Sequence, residues 1–214
     1  MDERNTTLPS DYSSFVLEGL LTGLRPPPKK VVLDLGPANG GNLDQLAGFT
    51  GHHCKLFIAN FFERLSEAGP SARRNIPTFT ATCSRLLDFP AATRFDLILA
   101  WDVFNYLSLL EIEALVGHLS RHSHGGAHLM ALVSIYKMIP DRPFRFCIRS
   151  ADTLRYETLS RGLRDSPRYT ENQLVKRMSG FQVDKAMLLR NGMQEYSFVL
   201  GTESEGPPGG SGGG

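Results

Sequence analysis

The segment Val31-Val32-Leu33-Asp34-Leu35-Gly36-Pro37-Ala38-Asn39-Gly40-Gly41 decides how this chain is read. Four apolar residues surround one carboxylate, Asp34. A short apolar run followed by Gly36 reads as a buried strand ending in a turn. Gly40-Gly41 then opens the amphipathic run Asn42-Leu43-Asp44-Gln45-Leu46-Ala47, the start of a helix. Glycine lets the backbone approach a ligand closely, and a helix start offers unpaired N–H groups to an anion. Strand, glycine turn and helix N-terminus in this order make a nucleotide-type loop. Its letters satisfy two templates: D-x-G-x-A-x-G through Asp34, Gly36, Ala38 and Gly40, and a degraded G-x-G-x-x-G through Gly36, Ala38 and Gly41. A tight turn that holds no ligand is the third reading.

Upstream, Tyr12 to Leu24 carries apolar residues at helical spacing, and the prolines at 26–28 stop that helix. Downstream, Cys54 to Ala59 reads as a second strand with Asn60 at its tip, then a helix from Phe61 to Ala68. A short third strand is expected around Ile76 to Ala81. A fourth, Phe95 to Ala100, leads into Trp101-Asp102. Ser108-Leu109-Leu110-Glu111 has capping-box letters and opens a helix that ends at Gly125-Gly126, before a fifth strand from Ala127 to Tyr136. Strands alternating with helices imply right-handed crossovers and a parallel sheet. Residues 137–169 break that rhythm. A second capping box at Thr170 to Gln173 starts a helix to Ser179, and Arg190-Asn191-Gly192 joins two last strands as a hairpin. A tight turn joins antiparallel neighbours, so the final strand must run against the rest.

The loop, the five βα units and the reversed last strand together resemble the class I S-adenosylmethionine-dependent methyltransferases over residues 31–200. The resemblance implies an α/β fold: a three-layer Rossmann-like doubly wound sheet of seven strands, mostly parallel with the last strand antiparallel. It also implies an N-terminal helix and linker over 1–30 acting as a cover, and a catalytic domain over 31–201 with 137–169 as substrate lid; the Gly/Pro-rich composition of 202–214 reads as a disordered tail or linker. The closing hairpin speaks against a nicotinamide dehydrogenase.

On that resemblance S-adenosyl-L-methionine is the cofactor. Its amino-acid end would lie on Asp34, Gly36, Pro37, Ala38, Asn39 and Gly40. The ribose would meet Asn60, the adenine Cys83 or Ser84, and Trp101 with Asp102 would face the crevice at the switch point of the sheet. Ala38, Asn60 and Cys83/Ser84 stand where the family usually has glycine, an acid and an acid. These departures motivate a second reading, a binding or interaction protein that has lost turnover. Methyl transfer from a sulfonium rests chiefly on alignment. If a base is needed, Asp102, Tyr136 and Tyr106 are candidates that the sequence does not rank, so no catalytic residue is assigned. The expected acceptor is an O or N atom of a small molecule.

A formal net charge of +1 gives no global attraction to nucleic acid or membrane. The polar start of the chain lacks a signal-peptide core, and three widely spaced cysteines suit reduced thiols, so a cytoplasmic protein is expected. His118, His122 and His124 have a spacing zinc can use, but they fit a solvated helix end; no metal is expected. Cys147 lies in an apolar setting that disfavours a thiolate. Between Lys137 and Arg177 ten Lys/Arg face five Asp/Glu, which suits an acceptor lid or ordinary solvated faces.

Overall fold

The computed structural model describes residues 10–24 and 29–202. The stretches 1–9, 25–28 and 203–214, for which the sequence suggests a loose start, a helix stop and a disordered tail, lie outside the described residues. In chain order the elements are β1 (Ser10–Ser13), α1 (Phe15–Gly23), β2 (Lys30–Asp34), α2 (Gly40–Phe49), β3 (Cys54–Ile58), α3 (Phe61–Glu67), α4 (Ile76–Leu86), β4 (Phe95–Trp101) and α5 (Leu109–Arg121). They continue with β5 (Ser123–Ser134), β6 (Met138–Pro140), β7 (Arg145–Ser150), β8 (Thr153–Glu157), β9 (Leu163–Asp165), α6 (Glu171–Val175), β10 (Phe181–Leu188) and β11 (Met193–Leu200).

The central sheet has the order β10-β11-β5-β4-β2-β3. Strand β2 runs parallel to both β3 and β4, and β4 runs parallel to β5. Strand β11 runs antiparallel to β5 and to β10, so it alone is reversed.

Among the described residues the sheet holds six strands, where the resemblance implied seven. Residues 76–81 are the first turns of α4 and form no strand. Asn75 caps that helix, its side chain accepting from Thr78 N over 2.9 Å. Pro77 falls in the first turn, where its missing N–H is no loss. Phe79, Thr82, Cys83 and Leu86 then bury one face. The cap and the helical period outweigh the β-prone letters.

Side chains of β4 alternate between two cores, as a strand covered on both faces must. Ile98 and Ala100 pack with Leu65, Phe79, Ile112 and Leu174 from α3 to α6. Leu97, Leu99 and Trp101 pack with Leu17, Leu21 and Leu46 from α1 and α2, and with Phe146, Ile148 and Leu154.

The last three come from the region 137–169, which is itself folded. Strand β7 pairs antiparallel with β8, β8 with β1, and β6 with β9. Tyr12 therefore belongs to a strand, and the leading helix starts only after Ser14, whose side chain accepts from Leu17 N over 3.0 Å. The fifth strand also starts earlier than the glycines suggest, because Ser123 already pairs with Phe95. Among the described residues no helix is long and apolar enough to cross a membrane.

Candidate functional site

At the carboxyl ends of β2, β3 and β4 lies a crevice of about 210 Å³. Gly36 and Pro37 wall it from the first loop, Asn60 from the second strand's tip, and Trp101 and Asp102 from the fourth. Arg142 and Phe144 close it from the region before β7. Such a place, where the strand order reverses direction, is where open α/β sheets bind ligands. The volume is below the usual 300–1,000 Å³ of small-molecule pockets.

The tip of β3 turns on Asn60, whose backbone is left-handed at φ 43°. Its amide N donates to Gly36 O over 3.0 Å, tying the second tip to the first loop. The Asn60 side chain makes no helix-capping bond. Asp102 is buried to 1 % exposure. One of its oxygens accepts from Phe144 N over 3.1 Å; the other has no hydrogen-bond partner among the described residues. Burial pushes its carboxyl up to about 7, against the pull of the Phe144 amide.

The inner end of the crevice is filled by the chain itself. Trp101 ends β4 with a left-handed backbone, φ 49°, beside an irregularity in the β4–β5 register. Its indole Nε1 donates to Asp34 Oδ1 over 2.6 Å. Asp34, 2 % exposed, also accepts from Gly36 N over 2.8 Å and from Asn42 Nδ2 over 3.4 Å. Burial raises the Asp34 pKa, and these three donors oppose the rise. A Cβ at Gly36 would stand 3.0 Å from the Trp101 ring and from Asp34 Oδ1, so a side chain here would press both groups back by a few tenths of an ångström. On its other side the indole stacks on Phe146, with centroids 5.2 Å apart and planes 8° from parallel.

Strand β7 seals the start of α2 in the same way. Asn42 accepts from Ile148 N over 2.7 Å and donates to Phe146 O over 3.1 Å. Asn39 caps the helix through Gly41 N (3.0 Å) and also donates to Phe146 O (3.3 Å). The glycine-loop residues thus face β7.

Of the positions singled out from the sequence, the fold brings Gly36, Pro37, Asn60, Trp101 and Asp102 around one crevice, with Asp34 and Asn39 just behind it. Ala38 and Gly40 complete the same loop, and no side chain lies within 4 Å of where a Gly40 Cβ would be. Cys83 and Ser84 do not reach it. They sit on α4, Cys83 buried in the core and Ser84 exposed with its hydroxyl on Thr80 O. Their assignment to a strand tip fails because that strand is a helix.

Among the three general-base candidates only Asp102 lines the crevice. Tyr106 is buried, and its hydroxyl donates its one proton between the carbonyls of Arg142, at 2.8 Å, and Pro140, at 3.1 Å. Tyr136 is half exposed against Gly192. Asn42 and Phe146 were not expected at the site. The one local hint is that Asn42 stands four residues before Leu46, on the buried face of α2.

Among the described residues no group of three His, Cys, Asp or Glu side chains is placed to hold a metal ion. His118 bonds Leu87 O over 3.0 Å and His124 bonds Asp96. Four of the ten Lys/Arg of the arginine-rich region are ion-paired: Arg142 with Glu63, Arg145 with Glu157, Arg155 with Asp11 and Arg177 with Glu113.

No family model matches the chain, and no curated protein matches it in sequence. Among solved structures it is similar to CalS10 from Micromonospora echinaspora, an amino pentose methyltransferase with bound SAM, at 14 % identity and TM-score 0.46 over 86 % of this chain and 88 % of that one. It is similar to the magnesium protoporphyrin IX methyltransferase ChlM from Synechocystis PCC 6803 at 12 % identity and TM-score 0.46, over 86 % and 76 %. Against the pyocyanin biosynthetic protein PhzM the figures are 12 % and 0.44, over 80 % of this chain and only half of that protein's length. Similarity at this level fixes neither ligand nor chemistry here. The strand pairing gives a Rossmann-like, mostly parallel sheet with one reversed strand and with a helix in place of the expected third strand.

Proposed function

We propose that this chain is an S-adenosylmethionine-dependent methyltransferase acting on an O or N atom of a small molecule. The observation that carries the reading is the convergence of Gly36, Asn60, Trp101 and Asp102 on one crevice at the carboxyl edge of the sheet. The residues suit the adenosyl half of the cofactor. Asn60 can hydrogen-bond ribose hydroxyls, and Phe62 and Leu35 offer apolar walls to a base. Bound there, the cofactor supplies an electrophilic methyl group. Asp102 is the group placed to hold an acceptor proton: burial pushes its carboxyl up to about 7, and one buried oxygen has no partner among the described residues.

Calorimetry with S-adenosylmethionine, S-adenosylhomocysteine and NAD, followed by methyl transfer from labelled cofactor to a panel of amines and phenols, tests it. Binding of the two sulfur ligands with transfer to one acceptor class is the expected result. No heat with either sulfur ligand at millimolar concentration would overturn it.

A second reading is favoured by one specific observation. The Asp34 carboxylate already has three internal donors, and Trp101 with Phe146 covers Gly36. On this reading the chain is a methyltransferase-like binding protein without turnover. Binding without transfer across the whole panel would favour it.

A further inference from the structure

On the proposed function, the amino-acid arm of an adenosyl ligand would lie on the glycine loop and against Asp34. In this chain that place is taken. The Trp101 indole gives Asp34 an N–H at 2.6 Å, as an ammonium would, with its Cδ1–Nε1 edge beside Gly36 and its face stacked on the Phe146 ring. The crevice beyond it stays open past Asn60, Glu63 and Arg142. We infer that Trp101 is the specificity-determining residue of this crevice: its indole stands in for the amino-acid arm, so that a bare nucleoside enters directly. A nucleoside carrying the arm enters only after the indole has left Asp34.

The inference rests on reading the crevice as an adenosyl site. It adds a definite order of ligand preference. An arm-bearing ligand selects an open form, and its apparent affinity falls by the fraction of molecules in that form. The left-handed backbone at Trp101 fits a residue held in place by its partners, since a bulky side chain rarely adopts it. Three contacts hold the closed form: the indole on Asp34, the stack on Phe146, and the clasp of Asn42 on β7.

Trp101 is the only tryptophan in the chain, so its fluorescence reports its own position. The full chain is titrated with adenosine, 5′-methylthioadenosine and S-adenosylmethionine, with heat and tryptophan emission recorded together. The nucleosides should bind with little change in emission. S-adenosylmethionine should bind more weakly, with emission shifting to the red as the indole is exposed. Trp101→Gly, which suits the left-handed backbone, should raise S-adenosylmethionine affinity by about tenfold or more while adenosine changes by less than about threefold. If circular dichroism shows that this variant does not fold, Phe146→Ala, which removes the stacked ring, should shift the same ratio in the same direction. Native binding of S-adenosylmethionine as tight as that of adenosine, with unchanged emission, would overturn the inference. So would an unchanged ratio in the folded variant. If none of the three ligands binds, the adenosyl reading of the crevice falls and takes the inference with it.

Discussion

The Trp101 indole nitrogen and the Asp34 carboxylate, 67 residues apart in sequence, are joined by a buried 2.6 Å hydrogen bond. It links the tip of the fourth strand to the tip of the first and holds the crevice closed at one end. A buried carboxylate that loses a donor costs more than the net worth of the bond, about 1–3 kcal/mol. Trp101→Phe keeps an aromatic ring against Phe146 but removes that donor. Its unfolding free energy from chemical denaturation should fall by an amount in this range; an unchanged midpoint would show that Asp34 does not need the indole.

Gly36→Ala should destabilise the native protein by about 1–3 kcal/mol, the usual cost of overpacking. The new methyl group would press on the Trp101 ring and on Asp34 Oδ1, each 3.0 Å away. Combined with Trp101→Gly, the same alanine should cost much less, because its main obstacle has gone. A double-mutant cycle measures this coupling, and strictly additive effects would count against the contact.

Asn42→Leu tests the clasp on β7. The substitution leaves Ile148 N without its 2.7 Å acceptor and Phe146 O without one donor. Stability should drop by about 2 kcal/mol. Amide exchange should accelerate first over 144–156, before the central strands respond. Uniform acceleration across the chain would mean that β7 and the core open together.

Stability should fall as pH rises from about 4 to about 7. Burial moves Asp102 from an ordinary 3.8, and Glu195 from 4.5, to about 7 in the folded chain. For Glu195, Ser14 and the Val16 amide oppose that rise. Neither of its oxygens has a partner in hydrogen-bonding geometry among the described residues. The folded state therefore holds protons that the unfolded chain has released. Their stabilisation is complete below the unfolded pKa values and is lost as pH passes through about 7. Melting temperatures at pH 5 and pH 8 check the sign. Asp102→Asn should flatten the slope, and a slope unchanged in both Asp102→Asn and Glu195→Gln would refute the assignment.

Removing the Arg73 guanidinium should also cost stability, through two elements at once. It pairs with both Glu111 oxygens at 2.6 Å and donates to Tyr106 O at 3.0 Å. Arg73→Met should lower stability by about 1.5–3 kcal/mol, the range for bonds to charged groups. Thermal melts of the variant read the loss directly.

The sequence disclosed the parts of this fold whose causes are local. Val31 to Leu35 and Phe95 to Ala100 are apolar runs too short for helices, and Asn191-Gly192 marks the turn before β11. Ser108 and Glu111 form the capping box their letters suggest. Residues 76–81 misled, because β-branched and aromatic letters there are outweighed by the Asn75 cap and by Pro77 in a first helical turn. The loop at Gly36 was legible as a close-approach site. What approaches it was not: no local pattern tells that Trp101 turns back on a left-handed backbone, or that β7 docks on α2 through Asn42. Those contacts join residues 67 to 107 positions apart.

The three-stranded sheet that packs on Trp101 through Phe146 draws one edge strand from early in the chain, Ser10–Ser13, and its other two from residues beyond 144. During synthesis the early strand has no mate until Thr153 to Tyr156 leave the ribosome. By then β2, β3 and β4 have long been available to one another. The strands that carry the glycine loop and the indole are thus available before β7, the strand whose Phe146 backs that indole.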